Sequence, residues 1–232
     1  MEFSIAEKSS KRIGIFTDIH VGVSSDSKLR LDETKKCMKW IISAFKKEKV
    51  DWVIFCGDLF NSRFSINVNT LNTGIELVED LASNFEKVFL IEGNHDTYYK
   101  NSNSVNSVKF MQKIGKNDNI FSIDEEPLFF KVKDKTFGLY PWAYMPEDAE
   151  KIDGFKTPDF GFGHFEMNGI EQSGSRLSSG NKHGLHEMLK LGKMLFSGHY
   201  HINKMYKDFS TGGLLYMVRF TIAARLGRLW KR

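Results

Sequence analysis

Five short polar clusters hold the residue types that bind metal ions: Asp18-Ile19-His20, Gly57-Asp58, Gly93-Asn94-His95-Asp96, Gly163-His164 and Gly198-His199-Tyr200-His201. Five of the seven histidines fall inside them, and histidine is the diagnostic residue. Imidazole, carboxylate and amide oxygen together suit a divalent first-row ion, whereas a magnesium or calcium site would be nearly all oxygen. A carboxylate such as Asp58 has two oxygens and can bridge cations about 3.5 to 4 Å apart. The donor set therefore matches a two-metal site. Glycines 57, 93, 163 and 198 beside the donors are expected to let the backbone turn sharply there. Singly, an Asp-x-His pair or a Gly-Asp turn is commonplace; the order and context of all five set them apart from chance.

The elements that must position these residues alternate short apolar runs with longer amphipathic stretches, the pattern of an α/β sheet. Strands are expected at Arg12–Thr17, Asp51–Cys56 and Lys87–Ile91. Helices are expected at Leu31–Lys49, with Met38, Ile41, Ile42 and Phe45 on one face, and at Val68–Ser83. Leu128–Val132 and Thr136–Tyr140 form a hairpin pattern, followed by strand patterns at Phe160–Gly163, Lys193–Ser197, Lys204–Lys207 and Leu214–Val218. Two sheets packed face to face with helices outside follow from this. Four clusters stand directly after a strand pattern, and the fifth ends Asp159-Phe160-Gly161-Phe162. Ligands bind where strand carboxyl ends converge, so the five should meet in space. The Ser/Gly-rich stretch Ser173–Gly180 reads as a long loop, Trp40, Trp52 and the phenylalanines as packing, and His183 and His186 as surface or helix-start residues.

The chain has 232 residues, 41% hydrophobic and 27% charged, which excludes disorder, collagen and coiled coil. No apolar run approaches a membrane span, and the first eleven residues lack the apolar core of a secretory signal. Two cysteines, Cys37 and Cys56, give neither a disulfide framework nor a Cys-x-x-Cys knuckle, so a reducing, cytoplasmic location is expected. The net charge of +4 lies in the last fourteen residues, which hold five bases and no acid; Met1–Val218 has 28 bases against 29 acids. Net charge accordingly gives no argument for nucleic acid.

The ordered set Asp18-x-His20, Gly57-Asp58, Gly93-Asn94-His95-Asp96, Gly163-His164 and Gly198-His199-x-His201 resembles the signature of the calcineurin-like metallophosphoesterases, over residues 12 to about 218. Within that superfamily, His20-Val21-Gly22, Arg30-Leu31-Asp32 and Gly57-Asp58-Leu59-Phe60 are similar to the SbcD/Mre branch, nuclease subunits of DNA double-strand-break repair and phage recombination. The Asp-Arg-Gly motif of the phosphoprotein phosphatases is missing. The resemblance implies a four-layer α/β/β/α sandwich of two mixed sheets and two divalent ions, manganese foremost. Asp18, His20, Asp58 and His201 would hold one ion, and Asp58, Asn94, His164 and His199 the other. It implies that His95, left unliganded beside the phosphate, donates a proton to the departing 3′ oxygen or otherwise stabilises charge, oriented by Asp96. It also implies DNA as substrate, a homodimer, and an SMC-like coiled-coil ATPase partner in an SbcCD-type complex.

Two departures stand out. Nuclease members often carry a histidine soon after Gly-Asp-x-Phe, where this chain has Asn61, Ser62 and Arg63; an amide cannot transfer a proton, and Asn61, Arg63 and Arg30 are left as candidates to hold phosphate. Arg219–Arg232 replaces the family's usual ending, and permitted codons shifted by one base spell the family-like Gly-Ser-Pro-Leu-Gln-Leu-Asp-Trp-Gly-Asp-Tyr-Gly-Asn. The expectation is a nuclease domain over 1–218 with an atypical, frameshifted basic tail over 219–232, lacking the capping and partner-binding regions. The rival functions are a phosphodiesterase or phosphatase for small phosphoesters and a truncated, non-catalytic binding subunit.

Overall fold

Side chains alternate along each central strand, and both faces are buried. On Trp52–Cys56, residues Trp52, Ile54 and Cys56 face one layer while Val53 and Phe55 face the other. The computed structural model describes residues 2–99, 102–114, 117–172, 176–179, 183–218 and, as backbone, 220–224. Among these, one sheet has five strands in the order Phe220–Ala224, Ile13–Phe16, Trp52–Cys56, Lys87–Ile91, Ile120–Ile123. Its pairings are parallel except at Phe220–Ala224. The second sheet has seven strands: Ile5–Glu7, Leu128–Val132, Lys135–Leu139, Phe160–Gly163, Met194–Ser197, Leu214–Met217 and Lys204–Lys207. Antiparallel pairing occurs at Leu128–Val132 with Lys135–Leu139 and at Leu214–Met217 with Lys204–Lys207. Both sheets are thus mixed.

The sheets pack face to face through an aromatic-rich core. Phe89 and Phe130 stack at 5.3 Å, Phe130 and Phe137 at 4.6 Å, and Phe162 and Phe196 at 5.0 Å between ring centroids. Such pairs add about 0.5 to 1.5 kcal/mol each beyond their burial. Helices Lys28–Lys47, Val68–Asn84 and Ser107–Ile114 cover the outer face of the five-stranded sheet. The short helices Pro146–Glu150 and Leu185–Met188 cover that of the seven-stranded sheet. The result is the expected four-layer α/β/β/α arrangement.

Several boundaries and elements differ from the sequence reading. The first long helix begins at Lys28, because Ser27 breaks the chain before it. Trp40 is 57% exposed on that helix's outer face, in contrast to Trp52, which is fully buried. The strands Ile5–Glu7 and Ile120–Ile123 are too short or too flanked by polar residues for periodicity to reveal. Within Ser173–Gly180, Arg176–Leu177 pairs with Glu171–Gln172; residues 173–175 and 180 lie outside the described residues. Of the basic tail, Phe220–Ala224 pairs antiparallel with Ile13–Phe16, while Arg219 and 225–232 lie outside the described residues. No described helix is long and apolar enough to cross a membrane.

Candidate metal centre

Five strand ends deliver the clusters to one place. Ile13–Phe16, Trp52–Cys56 and Lys87–Ile91 lead into Asp18, Asp58 and Asn94; Phe160–Gly163 and Met194–Ser197, from the other sheet, lead into His164 and His199. The site therefore straddles the carboxyl ends of both sheets. Backbone bonds lock the loops together: Asp18 N–H donates to Gly57 O, His20 N–H to Asp58 O, and Gly198 N–H to Gly163 O. Asp18, His20, Asp58, His199 and His201 all adopt left-handed backbone, with φ of 57°, 48°, 61°, 90° and 54°. Non-glycine residues there store strain of about 1 to 3 kcal/mol each, a cost the surrounding structure sustains at functional sites.

The first group comprises Asp18, His20, Asp58 and His201, whose ligand atoms all lie within 4.8 Å of one another. His201 Nε2 is 3.2 Å from Asp18 Oδ1 and 3.0 Å from His20 Nε2. The second group is linked through Asn94 Oδ1, which is 3.2 Å from His164 Nε2 and 3.1 Å from His199 Nδ1. Asp58 Oδ2 joins the two, 3.5 Å from His20 Nε2 and 3.3 Å from His164 Nε2. Its other oxygen accepts from the His95 backbone N–H at 2.9 Å. One buried carboxylate oxygen thus faces imidazoles of both groups.

Electrostatics favours positive charge here. Burial raises the pKa of Asp18 and Asp58, but the histidines outweigh it: hydrogen bonds from His20 and His201 hold Asp18 well below the carboxylate range, and the charge of His164 brings Asp58 down to about 2. Burial depresses His164, yet the charge and hydrogen bond of Asp58 carry it up to about 9. His199 is pushed down to about 3 by burial and by His164. The carboxylate field that favours a proton on His164 Nε2 would equally favour a cation in that proton's place. His164 Nδ1 donates to Cys56 O at 2.7 Å, which turns Nε2 toward Asp58 and Asn94. Convergent carboxylates, imidazoles and an amide oxygen fit divalent cations.

His95 stands beside the first group, its ring 4.9 Å from that of His20. Its Nδ1 donates to Asn61 O at 2.7 Å, so the Asn61 carbonyl, not Asp96, orients the ring. Asp96 instead braces the backbone around it. Its buried carboxylate accepts from the backbone N–H groups of Asp58, Leu59, Phe60 and Gly93 and from Ser107 Oγ. Arg63 donates to Asn94 O at 2.5 Å and lies at the site. Arg30 is instead paired with Glu33 at 2.7 Å on the helix surface. His183 contacts Glu147 at 3.0 Å and His186 contacts Asp208 at 2.7 Å, in neither case with a metal-site residue.

Some participants left no clear mark in the sequence. Thr17 Oγ1 donates to Cys56 O at 2.8 Å, fixing the turn between two ligand loops. Glu92 is fully buried next to the site; burial, with Asp96 and Asp124, pushes it up to about 10, so it is uncharged at neutral pH. Of the four glycines beside the donors, only Gly57 has left-handed backbone, at φ 95°. Gly93 is needed for room: a Cβ there would meet Asp58 Oδ1 at 2.2 Å and the Asp58 backbone nitrogen at 2.5 Å. Gly93→Ala should therefore displace Asp58 and weaken metal binding about 10- to 100-fold, as loss of a ligand's support does. Calorimetric titration with Mn²⁺ checks this, and wild-type affinity would refute it.

Residues 11–203 match the family model of the calcineurin-like phosphoesterases. The chain is a calcineurin-like phosphoesterase. Exonuclease subunit 1 of Enterobacteria phage T4 is 28% identical to this phosphoesterase over 191 residues, covering 79% of the chain and 53% of that protein. The chain thus spans about half the length of that relative. Two solved structures share the phosphoesterase fold, each with a TM-score of 0.57. Phosphopantetheinyl hydrolase from Mycobacterium tuberculosis is 12% identical, with 91% of this chain and 90% of that one covered. A dimetal phosphatase from Danio rerio is 14% identical, with 92% and 88% covered. The family and the Asp/His cluster together make the chain a phosphoester hydrolase with a site for divalent metal ions.

Proposed function

We propose that this phosphoesterase hydrolyses DNA phosphodiesters as the nuclease subunit of an SbcD/Mre-type complex, with two divalent ions, manganese foremost. The observation that carries the choice of DNA over small esters is the likeness to a phage exonuclease subunit across 79% of the chain. The two solved neighbours, at 12% and 14% identity, bear on fold alone. A homodimer and a coiled-coil ATPase partner belong to the same reading.

The two ions, when bound, would offset the charge of the phosphodiester and lower the pKa of a water toward neutrality. Asp58 holds both groups in register through one oxygen. His95, tied at Nδ1 to the Asn61 carbonyl, presents Nε2 to donate a proton to the departing 3′ oxygen. Arg63 steadies the turn bearing Asn94, and its remaining N–H groups, with Asn61, are the nearest candidates to meet a phosphate.

With Mn²⁺, the protein should degrade linear duplex or single-stranded DNA. Turnover of small phosphodiesters without any of DNA would transfer the assignment to a small-ester phosphodiesterase, and bound ions with no turnover would leave a binding subunit. His95→Asn should lower turnover on DNA about 100-fold while the number of bound ions stays the same. Rapid-quench kinetics beside metal analysis tests this; undiminished turnover would remove His95 from the reaction.

A further inference from the structure

The turn that follows strand Lys135–Leu139 places an aromatic ring against the second metal group. The Trp142 indole lies 5.5 Å from the His199 ring and 5.8 Å from the His164 ring, between centroids. It is only half-buried, unlike Trp52 in the core and Trp40 on the solvent side of a helix. Its position is fixed on both sides. Asn103 Nδ2 donates to the Trp142 carbonyl at 2.8 Å, and Ala143 holds a left-handed φ of 62°, a strained conformation for a residue with a Cβ. A core tryptophan needs no such device, and a solvent-facing one would not be aimed at two metal-site imidazoles. His95 contacts His20 of the first group, so the two rings flank the donor cluster from its two groups: His95 at one, Trp142 at the other.

We infer that Trp142 is a specificity-determining residue whose indole face stacks on the nucleobase of the nucleotide that bears the scissile phosphate. This rests on the nuclease reading above and adds the contact by which a nucleotide is told from a simple phosphodiester. With the leaving oxygen beside His95, the nucleoside retaining the phosphate falls on the indole side. Base–aromatic stacking tolerates any base, so the contact would read the presence of a base and not its identity.

Two esters with the same leaving group isolate the contact: thymidine 5′-(p-nitrophenyl phosphate), which has a base, and methyl p-nitrophenyl phosphate, which has none. With Mn²⁺, the wild-type protein should prefer the thymidine ester in kcat/KM. Trp142→Ala should cut that preference about tenfold, chiefly through KM, and Trp142→Phe should retain most of it. Equal losses on both esters would overturn the inference, because the indole would then only prop His164 and His199. Tryptophan fluorescence gives a readout without turnover. Thymidine 5′-monophosphate should quench it in wild type, methyl phosphate should not, and the quench should vanish in Trp142→Phe; equal quenching by both, or its persistence in that variant, would also overturn it. The nuclease reading fails separately, if DNA is not cleaved while the preference between the two small esters survives.

Discussion

Asp58→Asn should reduce turnover about 1,000-fold or more and remove both metal ions, whereas Asp18→Asn should remove only one. The asymmetry follows from contacts. Asp58 is 1% exposed, and its Oδ2 faces His20 at 3.5 Å in one group and His164 at 3.3 Å in the other. Asp18 meets imidazoles only in the first group, His201 at 3.2 Å and His20 at 3.8 Å; its one contact with the second is to accept from the His199 backbone N–H at 3.3 Å, which involves no ligand atom of that histidine. An amide at position 58 has the same shape and can still accept from the His95 N–H, so the loop need not move. What it lacks is the negative charge that two neighbouring cations share. Metal analysis of the two variants beside wild type, with turnover on one DNA substrate, provides the check. Retention of one full equivalent of Mn²⁺ by Asp58→Asn would mean the carboxylate is not shared.

The donor set was readable because it needs only residue type and a preceding strand. Trp52–Cys56 and Lys87–Ile91 alternate in side-chain direction, and each is followed within three residues by a ligand. Two things hid the remainder. Left-handed backbone at Asp18, His20, Asp58, His199 and His201 arises from hydrogen bonds between loops distant in sequence, such as His20 N–H to Asp58 O, and no local pattern encodes them. Residue type also does not disclose which of several neighbours a side chain serves. Asp96 follows His95 directly, which made it look like the group that orients that ring, yet its side chain turns back to the Gly57–Phe60 loop. Trp40 sat in an apolar pattern, but the buried stripe of its helix runs through Met38, Ile41, Ile42 and Phe45 and leaves position 40 outside. Trp142 follows a strand pattern and a proline, a context that signals a turn and says nothing of the imidazoles it meets.

Asp96→Asn is expected to lower stability by about 3 to 5 kcal/mol, a fall in Tm of roughly 10 °C for a chain of this size. The reason is that every partner of this buried carboxylate is a donor. Oδ2 accepts from Asp58 N–H and Gly93 N–H, both at 2.9 Å, and Oδ1 from Leu59 N–H at 3.1 Å, Phe60 N–H at 3.2 Å and Ser107 Oγ at 3.1 Å. An asparagine has one accepting oxygen. Its NH₂ group would point hydrogens at two or more N–H groups that have no water to turn to. Ser107→Ala is the control, since it removes a single donor, leaves the carboxylate's other bonds intact and should cost about 1 kcal/mol. Thermal unfolding with chelator and with Mn²⁺ separates bracing from ligation. Asp96→Asn should unfold early even with chelator, because the brace joins backbone to backbone and acts with or without an ion. In Asp58→Asn the rise in Tm on adding Mn²⁺ should disappear. A normal Tm for Asp96→Asn with chelator, together with a lost response to Mn²⁺, would make Asp96 part of the ion's own surroundings and not the brace of the Asp58 loop.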